Sequence, residues 1–260
     1  MSLKEPKPLI TTEQEHLINL ARKLDLDGFA DELEQQFFTP KLFNTIPFEK
    51  RLEHCLNAQD QMVSTRKFNN MFRSSKIKNK LSINCFKPEP ARGIDAPLLK
   101  ILLDCKYIQN GNNIIFSGKT GTGKTALSSA AGVEAMKKGY STMFFRMNDL
   151  VTIIESKDKL ALSRFKDRLR RIKLLILDDY GLSMYSDVVL SFLNDLANER
   201  YGLGSTIFTT QLTIESMLAP FAESPTRDAF ADRMFRSTDM KFTLIGESFR
   251  GTVGELMGEQ

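Results

Sequence analysis

Apolar positions in the first third of the chain recur at helical spacing. Leu17, Ile18, Leu20, Ala21 and Leu24 form one stripe; Leu26, Phe29, Ala30, Leu33 and Phe37 continue it after a break near Gly28; Phe48, Leu52 and Leu56 repeat it. Ahead of the first stripe, Thr12-Glu13-Gln14-Glu15 matches a capping box, in which a hydroxyl and a carboxylate three residues on satisfy open backbone amides, so a helix is expected to begin there. Stripes of this kind pack against one another and carry no chemistry by themselves. Residues 1–75 therefore read as a small all-helical domain. Over residues 76–97 the period lapses, and Pro88, Pro90 and Gly93 punctuate a basic linker. From residue 98 to 260 the texture changes again. Short apolar or β-branched runs, Asn113–Ser117, Thr142–Phe145, Leu174–Leu177, Thr206–Thr209 and Met240–Leu244, alternate with stretches of helical length. That alternation predicts an α/β fold of three layers, a parallel sheet with helices on both faces, because parallel neighbours need crossover connections.

A chain of 260 residues with 42% hydrophobic content holds a sizeable core, which sets aside disordered and disulfide-stapled classes. No apolar run approaches the roughly 20 residues of a spanning helix, and the lysines of the first eight residues precede no apolar signal core, so no membrane partner and a cytoplasmic location are expected. Cys55, Cys85 and Cys105 and the two histidines, His16 and His54, share no metal-ligand spacing. The net charge of +4 is modest, and its distribution matters more. Arg66, Lys67, Arg73, Lys76, Lys78, Lys80 and Lys87 follow one another without an intervening acid. Arg164, Lys166, Arg168, Arg170, Arg171 and Lys173 surround only Asp167. Each cluster is either a phosphate-facing surface or a solvated helix face.

The sharpest signal is Gly118-Lys119-Thr120-Gly121-Thr122-Gly123-Lys124-Thr125, which fills every position of the phosphate-loop pattern between a predicted strand and a stretch of helix formers from Ala126 to Lys138. Glycines let backbone amides turn in around phosphate oxygens, and the helix N-terminus adds partial positive charge. Lys124 is expected to reach the β and γ phosphates of ATP and Thr125 to ligate Mg2+. The overlapping match of Gly121 to Ala126 to a dinucleotide fingerprint lacks its ribose-binding acid, since the second strand ends in Phe145-Arg146. Leu174-Leu175-Ile176-Leu177-Asp178-Asp179 puts two carboxylates at the end of a buried strand, where ligands sit in open parallel sheets. Asp178 is the expected magnesium residue, and Asp179 the group that orients or deprotonates the attacking water. After the next strand Gln211 is placed to meet the γ-phosphate or its water. Arg227 and Arg233 then follow in a short helical segment, and either one, offered to a neighbouring subunit's nucleotide, would stabilise transition-state charge.

Taken in order, these residues resemble the AAA+ ATPases of the IstB and DnaC group, the IstB-type transposition helpers most closely. The resemblance also includes Pro47-Phe48-Glu49-Lys50-Arg51-Leu52, Arg92-Gly93-Ile94-Asp95, Tyr107-Ile108-Gln109-Asn110-Gly111, Glu199-Arg200-Tyr201 and Gly246-Glu247-Ser248-Phe249-Arg250. It implies a P-loop AAA+ fold and an ATPase that assembles on duplex DNA as an ATP-dependent homo-oligomer and assists the IstA-type transposase of a bacterial insertion element. It assigns Gln211 as a first sensor and Arg233 as the preferred arginine finger, and brings Arg250 toward the nucleotide. It also makes the basic clusters DNA candidates, with Arg73, Lys76, Lys78, Lys80, Arg164, Arg168 and Arg171 singled out. The sequence departs from the family's habit at Lys119 and Phe249. The competing reading is a DnaC-like replicative helicase loader, though loaders usually carry Asp-Glu where this chain has Asp178-Asp179. A guanine-reading Asn-Lys-x-Asp segment is missing after the sheet strands, which argues against a GTPase.

Overall fold

A computed structural model describes residues 10–182, 185–221, 225–236 and 240–246. The chain divides into two compact units, residues 1–69 and 70–260. In the first, α1 (Thr12–Lys23) and α2 (Asp27–Phe38) are followed by the short α3 (Pro40–Phe43) and by α4 (Phe48–Ser75), which continues across the boundary. The capping box lies one residue earlier than the sequence suggests. Thr11 accepts from the Gln14 amide at 3.2 Å, and the Gln14 side chain accepts from the Thr11 amide at 2.9 Å. The break lies at 24–26, so Gly28 is inside α2, where a Cβ would stand 2.7 Å from the Ala58 carbonyl oxygen of α4. Ile18, Ala21 and Ala30 form the buried core of this unit, with Leu26, Phe29, Leu33 and Phe37 packed against it. Leu17, Leu20 and Leu24, read as part of the same stripe, are exposed.

The second unit contains all five expected strands: β1 (Ile114–Gly118), β2 (Thr142–Arg146), β3 (Leu174–Asp178), β4 (Ser205–Thr210) and β5 (Lys241–Leu244). Every pairing is parallel, and the sheet order is β2-β3-β4-β1-β5. All positions of β3 and β4 are buried, as strands covered on both faces must be. Helices α5 (Ala96–Asp104) and α6 (Lys106–Gln109) precede β1, and between the strands lie α7 (Lys124–Lys137), α8 (Met147–Glu155), α9 (Lys159–Arg171), α10 (Asp187–Arg200), α11 (Ile214–Leu218) and α12 (Pro225–Ala231), the last running into a π-helical turn, Asp232–Arg236. Ile115, Phe145, Leu175, Leu177 and Phe208 face a core shared with α8, α9, α10 and the segment from α11 to the π turn. On the other face α7 lies close enough that a Cβ on Gly132 would meet Ile176 at 2.9 Å.

Residues 76–97, read from sequence as a linker, are packed into this unit. Ile77, Ile83 and Ile94 are buried, and the buried Glu134 of α7 accepts from the Ser82 hydroxyl at 2.7 Å and the Ile83 amide at 3.2 Å. Single isoleucines anchoring an irregular segment leave no periodicity to read.

Candidate nucleotide site

Strand β1 delivers the chain into the phosphate loop through Gly118, whose φ is 143°. A Cβ there would lie 2.1 Å from the Leu244 carbonyl oxygen, so the loop can leave the sheet beside β5 only with glycine at this position. Gly121 and Gly123 also have positive φ, 86° and 95°. Thr122 closes the loop on itself, its hydroxyl donating to the Lys119 carbonyl at 2.9 Å. Helix α7 starts at Lys124, two residues before the stretch of helix formers that the sequence shows from Ala126, with no side-chain cap at Gly123. Its first amides are thus directed toward the loop, the arrangement that receives anions. Lys124 is 5% exposed, and its ammonium donates to the carbonyls of Gly118 and Lys119, each at 2.8 Å.

Beside the loop, the Thr125 hydroxyl lies 2.9 and 3.1 Å from the two carboxylate oxygens of Asp178, at the end of β3. Asp178 is 1% exposed, and Thr209 of β4 donates to it at 2.6 Å. Burial pushes the Asp178 carboxyl above the ordinary range; the Thr209 and Thr125 hydroxyls oppose that shift, Asp179 adds to it, and the Arg146 guanidinium works against it. A buried carboxylate and a hydroxyl converging within 3 Å are hard oxygen donors of the kind magnesium takes, so the donor set fits that ion. Asp179 adopts a left-handed φ of 58°, and its amide donates to the Thr209 hydroxyl at 2.9 Å. One threonine therefore fixes both acidic residues. Thr209 was not singled out by sequence reasoning; the two threonines that close β4 are the signal that points to it. Arg146, the last residue of β2, stands in register with Asp178 and was likewise not selected. A cavity of about 530 Å3 opens between Thr125 of α7 and Arg146, with Lys76, Lys78 and Asp149 also on its wall.

The remaining candidates scatter. Gln211 is exposed immediately after β4. Arg233 lies in the π turn, whose Arg233 and Met234 carbonyls accept from the Asn113 side-chain amide at 3.1 and 3.2 Å. Asn113 precedes β1 and also accepts from the Thr206 amide near the start of β4 at 2.8 Å. The turn is thus anchored at the end of β1 opposite Gly118, about 16 Å away along the five residue steps from Asn113. Arg227 is on α12. Arg250 lies outside the described residues. On α9, Arg164, Arg168 and Arg171 line one open groove of about 500 Å3, whereas Lys166 is engaged by Asp195 at 3.0 Å and Glu199 at 3.2 Å. In the other cluster Arg73, Lys76, Lys78 and Lys80 are exposed; the Lys76 ammonium lies 4.2 Å from the Phe145 ring centroid and that of Lys80 5.1 Å from Phe72. Among the described residues no helix is long and apolar enough to cross a membrane.

The family described as IstB-like ATP binding protein matches residues 19–253. An insertion-sequence IS1162 protein of Pseudomonas fluorescens, named for ATP binding, is 26% identical over 200 residues, 76% of this chain and 86% of the relative. An IS21-like counterpart from Bacteroides fragilis is 23% identical over 250 residues, 95% of this chain and 94% of the relative. Among solved structures, AMPPCP-bound DnaA from Aquifex aeolicus superposes with a TM-score of 0.56 at 20% identity, covering 72% of this chain and 58% of that one. DnaI superposes with a TM-score of 0.54 at 16% identity, covering 68% and 94%. At such identities these superpositions speak for the fold alone. A family match over most of the chain, with this sheet and this loop, means that the chain belongs to the IstB-like ATP-binding family and has the P-loop fold of AAA+ ATPases.

Proposed function

We propose that this chain is a magnesium-dependent ATPase that assembles on duplex DNA as an ATP-dependent homo-oligomer and assists the transposase of a bacterial insertion element. The observation that carries the catalytic part is the contact of Thr125 with Asp178 beside a phosphate loop of complete pattern. The loop amides and the start of α7 bind the phosphates, and Lys124 exchanges its two carbonyl partners for phosphate oxygens. Thr125 and Asp178 would hold magnesium, which when bound would offset the charge of the phosphates. Asp179 orients the attacking water and takes its proton, with Thr209 holding the backbone that carries it. Gln211 acts from the end of β4. Arg233, anchored at the end of β1 far from the phosphate loop, is offered to the nucleotide of a neighbouring copy, because its own loop lies a strand length away. Arg164, Arg168 and Arg171, together with Arg73, Lys76, Lys78 and Lys80, meet DNA phosphates.

Fluorescence anisotropy tests this reading, with a long duplex and an equally long single strand, each in Mg-ATP and in Mg-ADP, and with the complexes sized at saturation. Tight duplex binding in large complexes with ATP, weakened by ADP, is expected, and Lys124→Ala should abolish it. Preference for single strands would move the reading to a helicase loader. Absence of nucleotide-dependent DNA binding would overturn both.

A further inference from the structure

The buried aromatic residues of the second unit form a continuous line that starts at the carboxylate pair and ends at the arginine-bearing turn. Tyr180 directly follows Asp178 and Asp179, and its backbone is tied to β4. Its amide donates to the Thr209 carbonyl at 2.8 Å, and its carbonyl accepts from the Thr210 hydroxyl at 2.9 Å. Its ring, fully buried, meets Phe235 edge-on, with centroids 5.8 Å apart and planes at 75°. Phe208 of β4 closes the group, 5.3 Å from Tyr180 and 5.1 Å from Phe235, again edge-on. Phe230 of α12 holds Phe235 from the other side at 5.6 Å and 88°. Edge-to-face pairs are directional, and a close-packed interior cannot absorb the displacement of one ring by sliding. Phe235 is two residues from Arg233 within the same π turn, a rare kind of turn that is found frequently at functional sites. The Asn113 amide pins the backbone of the turn at residues 233 and 234, so the Phe235 ring is its second anchor.

We propose that Phe235 is a positioning residue: packed edge-on against Tyr180, it fixes the direction in which Arg233 is presented to a second copy of this chain and ties that direction to the Asp178-Asp179 end of β3. The proposal rests on the reading of Arg233 as acting on a neighbour's nucleotide. It goes beyond that reading by naming what aims the arginine and by linking the two ends of the parallel strands through the core of one subunit.

The test measures steady-state ATP hydrolysis by Phe235→Leu under assembling conditions, alone and mixed with Asp179→Asn, which retains its own Arg233 and Phe235 but lacks the residue proposed to activate water. Phe235→Leu alone should lose about tenfold in kcat with KM for ATP within about twofold, since the residues that hold ATP are unaltered and the loss falls on transition-state stabilisation at the neighbouring copy. In a 1:1 mixture about a quarter of the wild-type rate should return, because one interface in four pairs an intact pocket with an intact donor in a head-to-tail assembly. Arg233→Ala mixed with Asp179→Asn runs in parallel. If that pair recovers and the Phe235→Leu pair does not, Phe235 acts on its own pocket or only on folding, and the proposal is wrong. If the Arg233→Ala pair fails to recover, the reading of Arg233 falls and takes the proposal with it. Phe235→Met, which keeps most of the volume without the ring edge, repeats the test if thermal melting shows that Phe235→Leu is unfolded, and it must give the same split between kcat and KM. Unaltered kcat in a folded variant overturns the proposal outright.

Discussion

Arg200 shows how a residue belonging to a functional resemblance can serve the scaffold. It is 2% exposed, and its guanidinium donates to the carbonyls of Leu169 at 2.7 Å, Ile172 at 2.6 Å and Ser205 at 2.7 Å. Burial lowers its pKa to about 10, which still leaves it charged at neutral pH. One side chain therefore satisfies the last carbonyls of α9, the approach to β3 and the start of β4, joining three segments that the sequence separates by up to 36 positions. Replacement by methionine keeps much of the stem but removes the donor to three carbonyls, of which that of Leu169 keeps the Ile172 amide at 3.2 Å, so Arg200→Met should lower stability by about 3 kcal/mol, read as a shift of the urea midpoint at unchanged slope. The candidate site divides along the same line. The phosphate loop and the Asp178-Asp179 pair were legible because their chemistry depends on contiguous residues at the end of a strand. Thr209, Arg146 and the anchoring of Arg233 were not, because parallel register and a side-chain amide from position 113 determine them.

Elements follow the same rule, since what is local was readable and what is borrowed was not. The five strands appear as runs because burial on both faces removes polar positions, and their boundaries fall within one residue of those expected. Helix α2 has no side-chain cap of its own at Leu26. Gln59 of α4 supplies one, accepting from the Gly28 and Phe29 amides at 2.9 and 3.2 Å and donating to the Asp25 carbonyl at 3.3 Å. No pattern around residue 26 can show a cap that arrives from 33 positions away. Gln59→Ala should cost about 1–2 kcal/mol, the range of a lost N-cap, and hydrogen exchange should show it first at the amides of Gly28 and Phe29. The clamp on residues 82 and 83 is likewise borrowed. Burial alone would raise the Glu134 carboxyl, but the Ser82 hydroxyl, the Lys137 ammonium and the Ile83 amide together outweigh it and hold it below its ordinary 4.5. A carboxylate depressed on folding stabilises above its unfolded pKa and loses that contribution as pH falls through the folded one. The thermal midpoint of Glu134→Gln should therefore lie below wild type at pH 7, and the gap should narrow as pH falls below 4.5.

At the scale of the molecule, the placement of charge decides which surface can meet DNA. A net +4 is too small to predict a nucleic-acid surface, and the two basic clusters, read as strings, do not rank their members. Folding ranks those of α9. Lys166 turns inward to Asp195 and Glu199, Arg170 approaches Asp167 at 3.8 Å, and Arg164, Arg168 and Arg171 share one groove at helical spacing. If duplex DNA lies along that groove, each arginine that meets a phosphate releases condensed counterions, and log affinity falls with log salt by about 0.9 per contact. Replacing Arg164, Arg168 and Arg171 together by alanine should then flatten the slope by about 2 to 3 and weaken binding to any duplex sequence alike, because phosphate contacts position and do not specify. Lys166→Ala should leave the slope unchanged while lowering stability, since its charge is spent inside the unit. The two variants remove charge from neighbouring turns of one helix, so a general loss of positive field would move both slopes in proportion to charge. A groove that binds phosphates moves only the first. Equal slopes for the triple variant and wild type, measured by anisotropy in Mg-ATP from 50 to about 300 mM salt, would take DNA off this face.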